Sequence, residues 1–200
     1  MSASVRPEAA TAGLQPLGPG CLVLVVGPSG AGKDTLIARV RESLGDFPRI
    51  RFPVRVITRP PDVTERSVEV SAERFEAECE QGLYALHWRA HGLSYGVPVE
   101  IDAMIRAGET VVLNVSRSVL GAARARYART RVVLIDADPT LRARRIALRG
   151  RECADALAER LAREATVPRS FTPDIVICND GALDDARDRF AKALVGLIEA

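Results

Sequence analysis

Gly27-Pro28-Ser29-Gly30-Ala31-Gly32-Lys33-Asp34 stands between two unlike stretches. The apolar run Cys21-Leu22-Val23-Leu24-Val25-Val26 before it reads as a buried strand, and Leu36, Ile37, Val40 and Leu44 after it recur at helical spacing. Strand, glycine-rich turn and helix form the context of a phosphate-binding loop. The glycines let the backbone wrap closely, so that successive N–H groups point at phosphate oxygens. The start of the helix adds the positive end of its dipole. Lys33 is expected to reach the β- and γ-phosphates of a nucleotide. Of 28 basic residues only Lys33 and Lys192 are lysines, so Lys33 reads as required where a guanidinium would not fit. An ordinary strand-to-helix turn with a solvated lysine is the bland alternative. The expected ATP-binding residues are Gly27, Pro28, Ser29, Gly30, Ala31, Gly32, Lys33, Asp34 and Thr35. The serine or threonine that usually follows the lysine and ligates Mg²⁺ is here Asp34, with Thr35 next. Asp34 is thus the candidate metal residue, directly or through water, its charge tolerable beside phosphates only with the cation present.

At 200 residues the chain suits one domain, with 47% apolar residues and a net charge of +2. That charge gives no global field toward nucleic acid or membrane. Cys21, Cys79, Cys153 and Cys178 form no CxxC motif, which fits a reducing cytoplasm, and Cys21 and Cys178 are expected to be buried at the ends of apolar runs. No apolar stretch nears the ~18 residues of a membrane span. Residues 1–20 read as a loose tail.

The expected elements alternate. Arg51–Ile57 reads as a strand stopped by Pro60-Pro61, residues 60–71 as a loop, and 72–81 as a helix capped by Ser71. Residues 83–96 suggest a hairpin turning at His91-Gly92. Helices are expected over 97–107, 118–128, 139–149, 153–165 and 182–198, and strands over 110–115, 131–136 and 174–178. This is an α/β fold with a mainly parallel sheet, interrupted over 58–96 by a candidate acceptor-binding insertion. Arg142, Arg144, Arg145, Arg149 and Arg151, followed by Arg160 and Arg163, suggest a helical lid over 142–163. Arg145 and Arg149 share a helical face and would meet developing phosphoryl charge. The alternative is a solvated face of an arginine-rich protein. His87 and His91 lack a third ligand for zinc; His87 fits an acceptor site, His91 an exposed turn.

The loop 27–34, Thr58-Arg59, Tyr95-Gly96, Arg145, Arg149 and Arg160 together resemble the guanylate kinase family of nucleoside monophosphate kinases, from about residue 20 onward. The resemblance implies a P-loop NTPase fold, a three-layer sandwich with an acceptor-binding region and a mobile lid, and Lys33, Arg145 and Arg149 as catalytic residues. The departures fall on guanine recognition. Asp62 stands where the family has a second arginine, Ser67 where it has tyrosine, and His87 where a glutamate precedes the tryptophan. Asn114-Val115-Ser116-Arg117 replaces its acidic strand end. With Gly32-Lys33-Asp34, Ile57-Thr58-Arg59, Val115-Ser116-Arg117 and Arg149-Gly150-Arg151-Glu152, this pattern is similar to a subgroup whose acceptor is a phosphorylated ribose. That similarity implies transfer from Mg²⁺-ATP to ribose 1,5-bisphosphate, giving ADP and 5-phosphoribosyl 1-diphosphate. Arg59, His87, Tyr95, Asn114, Arg117 and Arg160 then form the acceptor site, with Arg89 as a further cation. The small molecules ATP and a phosphorylated ribose are the expected partners. A guanylate kinase with altered base contacts and a non-catalytic binding module remain the alternatives.

Overall fold

The computed structural model of the protein describes residues 15–45, 47–60, 66–90, 92–148 and 171–199. Strand β1 (Cys21–Val26) is buried along its whole length, which is why its sequence is an unbroken apolar run. Its two faces belong to two cores. Leu22, Leu24 and Val26 pack with Ile101 and Ile105 of α3 (Ile101–Arg106) and with Leu120 and Ala123 of α4 (Leu120–Arg126). Cys21, Val23 and Val25 pack with Leu36 and Val40 of α1 (Lys33–Leu44) and with Ala186, Phe190 and Leu194 of α6 (Leu183–Glu199). Helices therefore cover both faces of a parallel five-stranded sheet. Its order is β2 (Ile50–Arg51), β7 (Thr110–Asn114), β1, β8 (Thr130–Asp136) and β9 (Ile175–Cys178).

A second, four-stranded sheet has the order β4 (Ser67–Glu69), β3 (Arg55–Ile57), β6 (Leu93–Pro98) and β5 (Tyr84–Ala90). Helix α2 (Ala72–Glu80) covers it, with Phe75 in a small core with Val56 and Val70. Leu86, Trp88 and Val97 join the α3–α4 core, so the small sheet is seated on the large one.

Four expectations need correction. The run 51–57 is not one strand. Pro53, which cannot donate to a ladder, lies where the chain leaves β2 in the large sheet and before it enters β3 in the small one. The stretch read as a loop over 60–71 contains β4, parallel to β3. The helix expected from 97 begins at Ile101, because Val97 and Pro98 pair with Leu86 and Tyr84 in the hairpin. Cys178 is also exposed rather than buried, since β9 is an edge strand. Ser71 does cap α2, accepting from Arg74 N at 3.2 Å. His91 and the helix expected over 153–165 lie outside the described residues.

Behind the site, Asp102 is buried on α3 and accepts from the Tyr127 hydroxyl at 2.7 Å and from Arg126. Burial, with the Asp102 carboxylate beside it, pushes the Tyr127 hydroxyl well above the usual phenol range. Tyr127→Phe leaves that carboxylate short of a donor. It is expected to cost about 1.5–3 kcal/mol, read as a lower urea midpoint at unchanged slope.

Candidate active site

The phosphate loop runs from the end of β1 into α1, at the carboxyl edge of the parallel sheet. Gly32 begins the helix with φ +84°, and a Cβ there would lie 2.6 Å from Asn179 Nδ2. Both the left-handed backbone and the close neighbour demand glycine. At Gly30 a Cβ would lie 2.7 Å from the Arg142 carbonyl oxygen, so α5 (Pro139–Leu148) rests directly on the loop. Asp138 caps α5, accepting from Thr140 N at 2.8 Å and Leu141 N at 3.3 Å; these backbone donors hold its carboxyl below the usual range. Lys33 Nζ donates to the carbonyls of Gly27 at 2.8 Å and Pro28 at 2.9 Å, which sets the ammonium over the loop.

Asn179, which follows β9, closes the other side. It is 2% exposed, and its Nδ2 donates to Ala31 O at 2.8 Å. Arg145 of α5 donates through Nη2 to Asn179 O at 3.0 Å. Among the described residues, Arg145 Nη1 and Asn179 Oδ1 are buried without a hydrogen-bond partner. An unpaired buried guanidinium N–H beside a phosphate loop has the chemistry of an anion contact.

Asp34 lies in the first turn of α1, 29% exposed at its side chain. Its Oδ1 accepts from Asn114 Nδ2 at 2.6 Å and from Arg55 Nη2 at 3.3 Å. Arg55 is buried on β3 and donates through Nη1 to Asn114 O at 2.9 Å. The structure thus brings together Asp34 and Asn114, two residues singled out in the sequence, through an arginine that was not.

The other expected residues lie in the loop, on α1, around the small sheet and just beyond β7. Thr35 follows Asp34 in the first turn of α1, and Ser29 lies in the loop. Arg59, just beyond β3, donates to Pro60 O at 2.7 Å, while Thr58 Oγ1 accepts from Ser94 N at 2.9 Å and ties that end of β3 to β6. Tyr95 stacks on Trp88 with ring centroids 5.2 Å apart. His87 is exposed and pairs in register with Gly96. Arg117, on the 3-10 turn after β7, holds its guanidinium carbon 5.6 Å from the centre of the Phe171 ring. Arg89 is exposed and paired with Glu76 at 2.6 Å, so it is engaged with α2. Arg149 and Arg160 lie outside the described residues.

Sequence reasoning missed Arg55 and Asn179. Arg55 sat in a run read as one strand, where an arginine suggests a solvated face. Asn179-Asp180-Gly181 read as turn chemistry only. One signal for Arg55 was available: an acid in place of the loop hydroxyl calls for a nearby cation.

Comparison with known proteins agrees with this geometry. The guanylate kinase family model matches residues 20–196. Ribose 1,5-bisphosphate phosphokinase PhnN of Methylobacterium radiotolerans is 48% identical over 176 residues, covering 88% of this chain and 98% of its own. The protein of the same name from Burkholderia pseudomallei is 48% identical over 182 residues, covering 89% and 95%. Among solved structures, guanylate kinase from Anaplasma phagocytophilum superposes with a TM-score of 0.63 at 19% identity, over 94% of this chain and 89% of that one, a likeness of fold. With a phosphate loop, its lysine and a buried arginine set at the edge of a parallel sheet, the chain belongs to the guanylate kinase family of phosphotransferases.

Proposed function

We propose that the protein transfers the γ-phosphoryl group of ATP to the 1-phosphate of ribose 1,5-bisphosphate, giving ADP and 5-phosphoribosyl 1-diphosphate. The observation that carries this reading is the pairing of a phosphate loop bearing Lys33 with an acceptor side that offers Arg59 and Arg117 and carries neutral His87 and Asn114 at the positions where the guanylate kinase pattern has acids. Relatives bearing the name of this activity cover nearly the whole chain at 48% identity, which supports it. A phosphate oxygen of the acceptor, already anionic at neutral pH, attacks the γ-phosphorus as the bond to the ADP oxygen breaks. No general base is required, so catalysis is alignment and charge neutralisation. Lys33 holds the β- and γ-phosphates, and Arg145 and Arg149 meet the charge on the transferring group. Arg59, Arg117 and Arg160 bind the two acceptor phosphates by paired hydrogen bonds, with Tyr95, His87 and Asn114 lining the sugar.

Mg²⁺ fits the residues present. It takes oxygen ligands and keeps several waters, and Asp34 offers a carboxylate whose described hydrogen bonds both end on Oδ1. Bound with ATP, the ion supplies neutralisation of the triphosphate charge. The cytoplasm, where ATP is plentiful, is the compartment this reading requires; no helix among the described residues is long and apolar enough to cross a membrane.

The test is phosphorus NMR of the protein with Mg²⁺-ATP and either ribose 1,5-bisphosphate or GMP. A new diphosphate on the sugar supports the reading; efficient conversion of GMP in its place overturns it. Arg117→Ala is expected to raise the KM for the bisphosphate roughly 10- to 100-fold, the worth of a charged hydrogen bond, and to leave the KM for ATP unchanged.

A further inference from the structure

Asp34 poses a problem that Lys33 does not solve. It puts a negative charge in the first turn of α1, at the position where phosphate loops carry a neutral hydroxyl. A carboxylate beside a triphosphate repels it unless another cation lies close. Arg55 meets that need from a different sheet. It is 8% exposed, its Nη2 lies 3.3 Å from Asp34 Oδ1, and its Nη1 donates to Asn114 O at 2.9 Å. Asn114 Nδ2 completes the triangle at 2.6 Å from the same Oδ1. The three residues come from α1, β3 and β7, so the carboxylate is fixed by both sheets at once.

We propose that Arg55 is the positioning residue of the phosphate loop: it compensates the charge of Asp34 and fixes its carboxylate, so that ATP can enter and Asp34 Oδ2 faces the cation that accompanies it. The proposal deepens the functional reading and rests on it only for ATP as the nucleotide. The guanidinium fork suits the task because it serves two acceptors at a set angle. An ammonium there would supply the charge but not both bonds.

The experiment is calorimetric titration of ATP into the full chain, once in EDTA and once in excess MgCl₂. Arg55→Met strands the Asp34 charge, and it is expected to weaken ATP binding in EDTA at least ~10-fold. In MgCl₂ the loss shrinks, because the divalent ion takes over the compensation. The ratio of the two dissociation constants therefore rises, which loss of fold or packing alone would not produce. Adding Asp34→Ser to Arg55→Met removes the stranded charge and restores binding in EDTA to within ~3-fold of wild type. Arg55→Lys keeps the charge, and is expected to hold ATP in EDTA while lowering kcat. An unchanged ratio in Arg55→Met, or equal effects of Asp34→Ser in both backgrounds, overturns the proposal. If Arg55→Met does not fold, weak ATP binding in EDTA by the double variant or by Arg55→Lys overturns it. A wild-type protein that binds no ATP defeats both this proposal and the functional reading. One that binds ATP but leaves ribose 1,5-bisphosphate untouched defeats only the functional reading.

Discussion

Lys33→Ala is expected to remove phosphoryl transfer while the protein stays folded. Lys33 is partly buried, and its ammonium bonds to the Gly27 and Pro28 carbonyls of the loop. These are contacts to a surface turn, not to either core, so little folding energy depends on them. Under the proposed reaction the same ammonium would follow negative charge as it moves onto the leaving oxygen. Loss of one such preorganised donor costs about 3–4 kcal/mol, or roughly 10²–10³ in kcat. Lys33→Arg should fare almost as badly. The loop leaves room for a compact charge, and a planar guanidinium would have to displace the two carbonyls. Turnover measured beside a thermal melt decides the matter. Near wild-type turnover in Lys33→Ala would show that Gly27–Lys33 is not the phosphate loop of the reaction.

The parts of this molecule that were legible in its sequence are those where local chemistry and the fold make the same demand. The run Cys21–Val26 could be read because both faces of β1 are covered, and its two sets of alternate residues serve two cores. The turn Gly27–Gly32 could be read because its glycines meet backbone and side-chain neighbours that no Cβ could share. Asp34 and Asn114 were singled out by their departure from a family pattern, and they prove to be hydrogen-bonded partners. What could not be read depends on the arrangement of distant segments. Arg55 lies 21 residues from Asp34 and 59 from Asn114, and only the break at Pro53 turns it toward both. Asn179 is 148 residues from Ala31, whose carbonyl it bonds. A strand of two residues beside one of three looks in sequence like a single strand, because nothing local says that they belong to different sheets.

Arg145 tests how far the far side of the loop takes part in the chemistry. Its Nη2 is spent on Asn179 O, whereas Nη1 is buried and unpaired among the described residues. A fixed, desolvated N–H of a cation is costly in a resting fold and useful to a transition state that gathers charge. Because one arm of the fork is already anchored, the other needs little reorganisation when the phosphoryl group moves. Arg145→Ala is therefore expected to lower kcat by ~10²–10³ while changing the dissociation constant of ATP by less than ~3-fold. Arg145→Lys separates charge from geometry. An ammonium cannot hold the Asn179 carbonyl and reach the phosphoryl oxygens together, so most of the loss should persist. Since Asn179 also bonds the loop, a variant that merely loosened it would weaken ATP binding as much as turnover. A loss confined to the KM for ATP would make Arg145 a ground-state binding group, and full activity would remove it from the site altogether.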